Sequence, residues 1–460
     1  GNNGGDGLAL GRHLSVRGYR VRLALVPGGR APSADAAIQL QICRNLEIPM
    51  MEIGVKDDLD RVIEAFGHCD LIIDALFGTG LKRPLEGLLA EIATAANAAA
   101  AAVVAVDIPS GLDGGTAELV GPHFQARLTV TFGAPKIAHI FPPASRAVGE
   151  VVIADLGIPP GVVEAAGGQL HLQVGEEVAR LLVPRIDECH KGDFGHLLIL
   201  AGSIGKSGAA ILAARGALRI GSGLVSVAVP EPLLSTLEVG SVESMTIPLP
   251  VTSAGGLAAA SVDQLAQALV NKQALAIGPG LGRAADTADT IRDVVAVSTL
   301  PLVLDADGLN AIAGFPEITA ARQGETILTP HEGELARLLD ISRSSVGDDR
   351  LAASRQAATK YRAIIVLKGP RTLIVAPDGE TYVNSTGNGG MASGGMGDVL
   401  TGMLGGLLGM GYDPLTAAQI GVYLHGLAGD LGAGKIGAES LIAGDLLDLL
   451  PDAIRELATG

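Results

Sequence analysis

One aspartate stands in a setting that suits phosphoryl transfer. Asp398 follows glycines at positions 394, 395 and 397 in the stretch NSTGNGGMASGGMGDVLTGMLGGLL (384–408). Glycines remove side chains from a turn that then becomes a helix, so its backbone amides can point at a phosphate. Asp398 could accept the proton of a hydroxyl that attacks phosphorus, an effect typically worth about 10²- to 10⁴-fold in rate. The alternative is a tightly packed glycine-rich helix with Asp398 as its N-cap.

A second candidate phosphate site follows the apolar run AIIVL. KGPRT (368–372) begins directly after this run, which places Lys368 and Thr372 where ligands bind in open α/β sheets. IGPGLG (277–282) ends another apolar run and lets a ligand approach the backbone itself. The sequence therefore predicts a nucleotide site in the second half of the chain.

Three further side chains stand at strand ends but give weaker signals. His331, in TPHEGE, lies at a predicted strand-to-helix turn, where a lone histidine is more often a capping residue. Beside the other motifs we interpret it as a substrate contact. Asp305 and Asp307, in LDADGLN, could bind or orient magnesium, and a role in turn formation explains them equally well.

The first half opens with GNNGGDG, four glycines among seven residues at the start of a predicted helix. Such glycines let backbone amides close on an anion, and the helix terminus adds a favourable dipole. Asn2, Asn3 and Asp6 supply oxygens that could hold a ribose hydroxyl or a cation. The alternative is a flexible glycine-rich turn, because an isolated glycine motif is a weak signal.

Two more strand ends of the first half carry carboxylates. Asp74 begins DALFGTGLKRP, a second glycine turn in which Lys82 and Arg83 suit a pyrophosphate. Asp107 begins DIPSGLDG, which also contains Ser110. Each aspartate could be only a turn former. Three such loops meeting at one sheet edge favour a binding site.

The elements that would position these residues alternate along the chain. Apolar runs without period-two alternation are typical of buried parallel strands, and helical stretches between them supply the crossovers. The first half contains the runs YRVRLALV (19–26), DLIIDALFG (70–78), AAVVAVDIPSG (101–111), ARLTVTFG (126–133) and GEVVIADLG (149–157). The pattern predicts an α/β fold with a Rossmann-like doubly wound sheet.

The second half repeats this alternation with different motifs. Its runs are GHLLILAGS (195–203), LVSVAVP (224–230), ALAIGPG (274–280), LPLVLDADG (300–308), ETILTPHEGE (325–334) and AIIVLKGPRTLIVAP (363–377). Two long Gly/Ala/Leu-rich helical stretches follow residue 397. This pattern predicts a second α/β domain with a mainly parallel sheet.

The Gly/Pro-rich stretch GIPPGVVEAAGG marks the boundary between the halves. We expect a first domain over 1–160, a linker over 161–187 and a second domain over 188–460. Because the sequence begins inside an apparent turn, we also expect an upstream strand to belong to the first domain.

Composition narrows the class of partner. A net charge of −16 and the absence of tryptophan argue against nucleic acid, and the charge also argues against an anionic membrane. The uncharged runs are too short or too rich in Ala, Gly and Pro to span a bilayer. Three cysteines without metal-site spacing indicate neither a disulfide framework nor zinc, and favour the reducing cytoplasm.

Taken in order, the motifs of the second half resemble the ADP-dependent NAD(P)H-hydrate dehydratases of the ribokinase-like superfamily. The resemblance covers roughly 188–455 and rests on HKGDFGHLLILAGS, IGPGLG, DADGLN, TPHEGE, KGPRT and GGMGDVLTG. It implies ADP as cosubstrate and magnesium as cofactor. The implied nucleotide contacts are Lys368, Gly369, Pro370, Arg371, Thr372 and Gly397. The implied substrate contacts are Ala209, Gly280, His331 and Asp398, with Asp398 also the base.

The first half resembles the NAD(P)H-hydrate epimerases through NNGGDG, DALFGTGLKRP and DIPSGLDG in this order. The resemblance implies a potassium ion held by Asn3, Asp74 and Ser110. The substrate contacts it implies are Asn2, Asn3, Gly4, Gly5, Asp6, Gly78, Thr79, Gly80, Leu81, Lys82, Arg83, Pro84 and Asp107. We hypothesise that Asp107 is catalytic, because a carboxylate can stabilise the iminium-type cation through which the hydroxyl-bearing carbon changes hand.

These resemblances imply a bifunctional enzyme that epimerises hydrated NADH or NADPH and then dehydrates one epimer. The family also implies a homo-oligomer, while the choice between the two hydrates is left open. Two alternatives remain at this stage. The second domain could be a kinase for a small alcohol, or the first could be a nucleotide-sensing or partner-binding module without catalysis.

Overall fold

The computed structural model describes residues 1–27, 32–54 and 56–459. Gly460, the last residue of the expected second domain, lies outside these ranges. The chain divides into two compact units, Gly1–Gly167 and Gly168–Gly460.

The first unit alternates helices with short strands. Its helices are α1 (Asn2–Val16), α2 (Ala34–Asn45), α3 (Lys56–Phe66), α4 (Leu88–Ala98), α5 (Ile137–Ile140) and α6 (Pro160–Ala165). Its strands are β1 (Leu23–Leu25), β2 (Met50–Glu52), β3 (Leu71–Asp74), β4 (Ala102–Val106), β5 (Leu128–Phe132) and β6 (Glu150–Ala154).

The strand pairs among the described residues of this unit are all parallel, which confirms the predicted α/β class. β3, β4, β5 and β6 form one sheet in this order. β1 and β2 pair with each other in a separate sheet, so the described strands form two sheets instead of one. Because neighbouring strands of a parallel sheet end at the same edge, the residues that follow β3, β4 and β5 meet there.

The second unit is larger and carries ten strands. These are β7 (Leu170–Leu172), β8 (His196–Leu200), β9 (Leu224–Pro230), β10 (Met245–Leu249), β11 (Ala274–Ile277), β12 (Leu302–Leu304), β13 (Thr326–Leu328), β14 (Ile364–Leu367), β15 (Leu373–Val375) and β16 (Thr381–Val383). Its helices are α7 (Gly175–Ala179), α8 (Ser207–Ile220), α9 (Leu234–Gly240), α10 (Ser261–Ala268), α11 (Ala285–Val297), α12 (Asp307–Ile312), α13 (Pro316–Ala320), α14 (Glu332–Leu339), α15 (Arg343–Asp348), α16 (Arg350–Tyr361), α17 (Met396–Gly409), α18 (Pro414–Ile436) and α19 (Ala443–Thr459).

These strands form one sheet in the order β10-β9-β8-β11-β12-β13-β14-β15-β16-β7. The pairs from β10 to β14 are parallel, and β15 pairs antiparallel with both of its neighbours. Every residue of β11 and of β14 is buried, as the apolar runs predict. The edge strands β10 and β7 and the neighbouring strand β16 are absent from the predicted series. Three helices, beginning at Met396, stand where two are expected.

The segment expected as a linker, 161–187, is partly structured. Its β7 pairs with β16 and so extends the sheet of the second unit, and α7 follows directly. The end of the Gly/Pro-rich stretch is therefore followed directly by β7, the edge strand of the second unit.

Glycines let α17 pack closely on α8. A Cβ at Gly402 would collide with the backbone of Ala213, and a Cβ at Gly216 would lie 2.5 Å from the carbonyl oxygen of Val399. Side chains larger than hydrogen would separate the two helices. The glycine-rich stretch after Asp398 therefore serves packing, and only its beginning faces a site.

Candidate functional site

Asp398 lies in the first turn of α17, where the chain leaves a glycine in the left-handed region. The N-cap of this helix is Gly395, whose φ is 91°, and no side chain caps the amides of the turn. Asp398 is therefore not the N-cap, although the tight helix packing of that alternative is present. The uncapped amides are available to a phosphate.

Burial makes Asp398 a proton acceptor suited to neutral pH. Desolvation and, second, the charge of Asp305 raise the pKa of its carboxyl against the opposing effect of Lys368, with a net value of about 6. A base with a pKa just below the working pH is ionised and still accepts a proton readily.

Beside Asp398, a buried ion pair joins two of the predicted motifs. Asp305 accepts a hydrogen bond from Lys368 Nζ at 2.6 Å through Oδ1 and from Thr401 Oγ1 at 2.8 Å through Oδ2. Lys368 Nζ lies 3.3 Å from the position that a Cβ of Gly397 would occupy. Burial alone would lower the pKa of Lys368, but Asp305, Glu334 and Asp398 together raise it. The fold thus brings a charged lysine to the amides of α17.

The KGPRT loop is held from behind by an arginine that the motif analysis did not identify. Arg350 donates hydrogen bonds to the carbonyl oxygens of Leu367, Lys368 and Pro370. Its guanidinium is largely buried, and it lies 3.0 Å from the position of a Cβ at Gly369, where φ is 140°. Arg350 is separated from the motif in sequence, so only the tertiary structure reveals this support.

The remaining residues of the loop bond to neighbouring backbone. Arg371 donates to the carbonyl oxygen of Ser385 at 2.7 Å, and Thr372 donates to that of Gly369 at 3.0 Å. These bonds fix a compact turn after β14.

Two of the predicted substrate contacts are neighbours in space. The Cβ of Ala209, in the first turn of α8, lies 3.0 Å from the position of a Cβ at Gly280. Gly280 has a φ of 68°, and its carbonyl oxygen accepts a hydrogen bond from Ser203 Oγ at 2.6 Å. A side chain at position 280 would close this gap between the loop and α8.

His331 caps α14. Its Nδ1 accepts hydrogen bonds from the backbone amides of Gly333 at 3.0 Å and Glu334 at 3.3 Å. Because Nδ1 is an acceptor here, the neutral ring carries its proton on Nε2. The side chain is 57% exposed and Nε2 lies 3.5 Å from Glu334 Oε1, so a ligand would share this N–H with that carboxylate.

His425 is a second histidine near this site that sequence reasoning missed. It hydrogen-bonds the carbonyl oxygen of Met396, the first residue of α17, at 2.9 Å through Nε2. Burial and the charge of Lys368 lower its pKa against the opposing effect of the bond to Met396, with a net value of about 4. A neutral donor on α18 therefore fixes the start of α17.

In the first unit, Asp74 and Ser110 form a buried pair at the ends of β3 and β4. Asp74 accepts from the amide of Ser110 at 2.7 Å and from its Oγ at 2.6 Å. Ser110 Oγ in turn accepts from the amide of Phe77 at 2.9 Å. Burial raises the pKa of Asp74 to about 6, and the bonds from Ser110 and Leu76 oppose the shift.

Asp107 directly follows β4 and has a φ of 68°. Its Oδ1 accepts hydrogen bonds from Lys136 Nζ at 2.7 Å and from Thr131 Oγ1 at 3.0 Å. Its Oδ2 lies 3.4 Å from the position of a Cβ at Gly78, beside the side chain of Asn3. The three predicted loops therefore do meet at one edge of the sheet.

The GNNGGDG motif forms the first turns of α1, so it is helical and not a flexible turn. A Cβ at Gly7 would lie 2.5 Å from that of Ala75, and one at Gly5 would lie 3.1 Å from that of Ala36. Packing thus requires Gly5 and Gly7. A Cβ at Gly4 would lie 3.9 Å from the carbonyl oxygen of Ala75, so packing does not require a glycine there. Burial and, second, Asp107 raise the pKa of Asp6, which places Asp6 near Asp107.

Most other predicted contacts of the first site are open to solvent. Leu81 is the exception, because its side chain is 7% exposed and packs in the core under α4. The exposed residues are Asn2, Thr79, Gly80, Lys82, Arg83 and Pro84. Leu81 can reach a ligand only through its backbone.

The oxygens around Asp74 suit a monovalent cation. Its carboxylate is buried, and the oxygens of Ser110 and Phe77 lie next to it. Asn3 Nδ2 is buried and has no hydrogen-bond partner among the described residues. This unpaired N–H donor leaves room for a further hydrogen-bond acceptor, whereas the oxygens of Asp74, Ser110 and Phe77 are the groups that could hold a cation.

The predicted magnesium ligands are committed to other partners. Asp305 binds Lys368, while Asp307 lies 3.7 Å from both Lys206 and Arg283. Asp307 also accepts from the amide of Gly282 at 2.7 Å, which ties its loop to the IGPGLG loop. In the described ranges no group of three or more His, Cys, Asp or Glu side chains could hold a metal.

Known proteins match both units. Residues 197–452 match the family described as NAD(P)H-hydrate dehydratase, and residues 1–138 match the one described as YjeF-related protein N-terminus. The bifunctional NAD(P)H-hydrate repair enzyme Nnr of Moorella thermoacetica is 41% identical over 457 residues, which cover 99% of this chain and 86% of that protein. The chain belongs to the family of bifunctional NAD(P)H-hydrate repair enzymes. The member of this family from Escherichia coli is 33% identical over 454 residues, 98% of this chain and 82% of that protein.

Solved structures extend the comparison. The ADP/ATP-dependent NAD(P)H-hydrate dehydratase of Bacillus subtilis, crystallised with ATP and Mg²⁺, is 34% identical with a TM-score of 0.55 over 62% of this chain and 98% of that one. A ribokinase-like protein of Enterococcus faecalis has a TM-score of 0.55 at 24% identity, over 64% of this chain and 98% of that one. These structures confirm the ribokinase-like fold predicted for the second half of this chain. No helix in the described ranges is long and apolar enough to span a membrane.

Proposed function

We propose that this chain repairs hydrated NADH and NADPH in two steps. The first unit interconverts the R and S epimers of the hydrate, and the second dehydrates the S epimer at the expense of ADP. The observation that carries the proposal is the meeting of Asp398, Lys368 and Gly397 at the start of α17, in a chain whose whole length matches bifunctional repair enzymes.

In the second unit, Asp398 acts as the base. It takes the proton of the hydrate hydroxyl while that oxygen attacks the β-phosphorus of ADP, and the bond from this phosphorus to the bridging oxygen breaks to release AMP. The amides at the start of α17 and the ammonium of Lys368 stabilise the charge that develops on the transferred phosphoryl group. Magnesium bound with the nucleotide neutralises phosphate charge.

The phosphorylated intermediate then loses phosphate. The carbon–oxygen bond breaks with its electron pair on the phosphate, the ring nitrogen supplies electrons, and the neighbouring carbon releases a proton to restore the double bond. Phosphate leaves far more readily than hydroxide, so the phosphoryl transfer makes the dehydration feasible. His331, which presents an N–H, can orient the substrate beside Asp398.

In the first unit, the Oδ2 atom of Asp107 faces the space between α1 and the Gly78 loop. A proton delivered through Oδ2 lets the hydroxyl leave the ring carbon as water, and the carboxylate then stabilises the cation that remains. Water that adds back to either face of the ring returns its extra proton through Oδ2. Asn3, Asp74 and Ser110 would hold potassium, which supplies a positive charge that offsets the buried carboxylate and orders the substrate loop.

A coupled assay tests the proposal. Each purified hydrate epimer is incubated with the protein, ADP, magnesium and potassium, and recovery of NADH absorbance is followed. We expect both epimers to be recovered, with AMP formed in equal amount. A stable phosphorylated alcohol without NADH recovery would instead identify a kinase, and recovery of the S epimer alone would identify a non-catalytic first unit.

Three further assignments stay predictions. We place the enzyme in the cytoplasm, as a homo-oligomer, with small-molecule substrates and neither nucleic acid nor membrane as partner. Gel filtration checks the oligomeric state, and kcat/KM measured with both hydrates establishes which one is preferred.

A further inference from the structure

Lys136 lies at the centre of the first site, although the motif analysis does not include it. It precedes α5 and reaches across the end of β5 to Asp107, with its side chain 21% exposed. Its Nζ atom lies 2.7 Å from Asp107 Oδ1, 2.7 Å from Thr131 Oγ1 and 3.1 Å from the carbonyl oxygen of Phe132.

These three contacts use the full donor capacity of a lysine. An ammonium group has three N–H donors and no acceptor. With all three directed at protein oxygens, none is left for a substrate hydroxyl. The geometry therefore assigns Lys136 a role in holding Asp107 and not in donating a proton to the substrate.

The same contacts decide which carboxylate oxygen reacts. Oδ1 of Asp107 is bound by Lys136 and Thr131, whereas Oδ2 faces the side of Gly78 and Asn3. Asp107 reaches this orientation from a left-handed backbone conformation, with a φ of 68°, which is costly for a residue other than glycine. A direct ion pair fixes the side chain in that orientation.

A neutral histidine holds the backbone of Lys136. Burial and, second, the nearby Lys136 lower the pKa of His139 to about 4, with Asp107 acting in the opposite direction. The neutral ring can then accept a hydrogen bond from the amide of Lys136, at 3.1 Å, through Nδ1. The bond between the amide of Ile137 and the carbonyl oxygen of Gly114 ties the same segment to the Asp107 loop.

We propose that Lys136 is a positioning residue of the epimerase site: its three hydrogen bonds lock Oδ1 of Asp107 and so present Oδ2 to the hydroxyl-bearing carbon of the hydrate. This inference rests on the proposed epimerase function. Misplacing a reacting group by about 1 Å can cost roughly 10²-fold in rate, which sets the expected size of the effect.

The test measures interconversion of purified R and S hydrates by the full chain. In Lys136→Met we expect kcat for epimerisation to fall about 10²-fold while KM changes less than about threefold, because the loss is one of orientation. Lys136→Arg, which keeps the charge and several donors, should recover at least about a tenth of the rate. Arg127→Met removes an exposed cation of the same unit and should leave the rate unchanged.

Chemical rescue separates positioning from proton donation. In Lys136→Ala, ethylammonium and the more acidic 2-methoxyethylammonium should restore the rate equally at the same concentration of the charged form. Greater rescue by the more acidic amine would identify a proton donor and overturn the proposal. Equal rates in Lys136→Met and wild type would also overturn it.

Two controls keep the outcomes distinct. ADP-dependent recovery of the S epimer reports the second unit in every variant, and thermal unfolding curves report whether the first unit, which holds Lys136, is folded. If the wild-type chain itself does not interconvert the epimers, the proposed epimerase function fails. If the wild type is active and only the Lys136 predictions fail, the inference alone is rejected.

Discussion

The two candidate catalytic aspartates lie in opposite electrostatic settings. Asp107 accepts a hydrogen bond directly from the ammonium of Lys136 at 2.7 Å. Asp398 lies near Lys368, but that lysine is bound 2.6 Å from Asp305, and burial raises the pKa of Asp398 to about 6. The difference teaches that a carboxylate with its own counter-ion suits charge stabilisation, whereas one whose cation belongs to another group suits proton transfer.

The comparison predicts its largest effect for Asp398→Asn. The amide cannot accept the hydroxyl proton, so ADP-dependent NADH recovery from the S hydrate should fall by about 10²- to 10⁴-fold. Epimerisation should remain at the wild-type rate. Stopped assays for AMP and NADH measure the first effect, and separation of the two epimers measures the second. Recovery within about tenfold of wild type would exclude Asp398 as the base.

Asp107→Asn should have the opposite selectivity: it should impair epimerisation and spare dehydration, with a somewhat smaller loss of rate than Asp398→Asn. We expect epimerisation to fall about 10²-fold, because the negative charge beside the developing cation is removed. Dehydration of purified S hydrate should be unaffected. Full epimerisation by this variant would show that another group carries the cation, and the contrast between the two aspartates would then lose its functional meaning.

Asp305→Asn sharpens the account of Asp398. ADP-dependent turnover should decrease as the pH falls below about 6, because Asp398 must be ionised to act as a base. Asp305 raises the pKa of Asp398, so its loss should move this limb of the pH profile to lower pH, by up to about one unit. The dependence of kcat/KM on pH measures the shift. A limb that moves upward or stays in place would contradict the assigned interaction.

The smallest expected effect concerns potassium and Asp74. Burial raises the pKa of Asp74 to about 6, so the folded protein holds this proton more tightly than the unfolded chain. The free energy of unfolding therefore falls as the pH rises from about 4 through about 6 and the carboxyl ionises. A bound cation offsets this cost only where Asp74 is ionised. Potassium chloride should therefore raise the unfolding temperature of the first unit by a few degrees at about pH 7.5 and by less at about pH 5.

Sodium chloride at equal ionic strength is the control for that measurement, together with Asp74→Asn. A stabilisation by potassium that persists in Asp74→Asn, or that is larger at the lower pH, would place the ion elsewhere. Fluorescent-dye or calorimetric unfolding curves give the required precision.

Much of the architecture could be read from the sequence. Continuous apolar runs predict β8, β11 and β14 because strands buried on both faces exclude polar residues. The edge strands β10 and β7 escape this reasoning, since a half-exposed edge strand tolerates mixed residues. The interior strand β16 escapes it because its three residues are too short a run to stand out. The glycine motifs are visible, but their double use in packing and in ligand approach is not.

The sequence by itself determined which residue types stand at the strand ends, and hence that Asp74, Asp107 and Asp398 are candidates. Only the tertiary structure decided their partners. Lys136 reaches Asp107 across 29 positions and Lys368 reaches Asp305 across 63, and neither distance follows a local period. The physical reason is that parallel strands deliver distant segments to one edge, where burial and a few hydrogen bonds set the charge of each side chain.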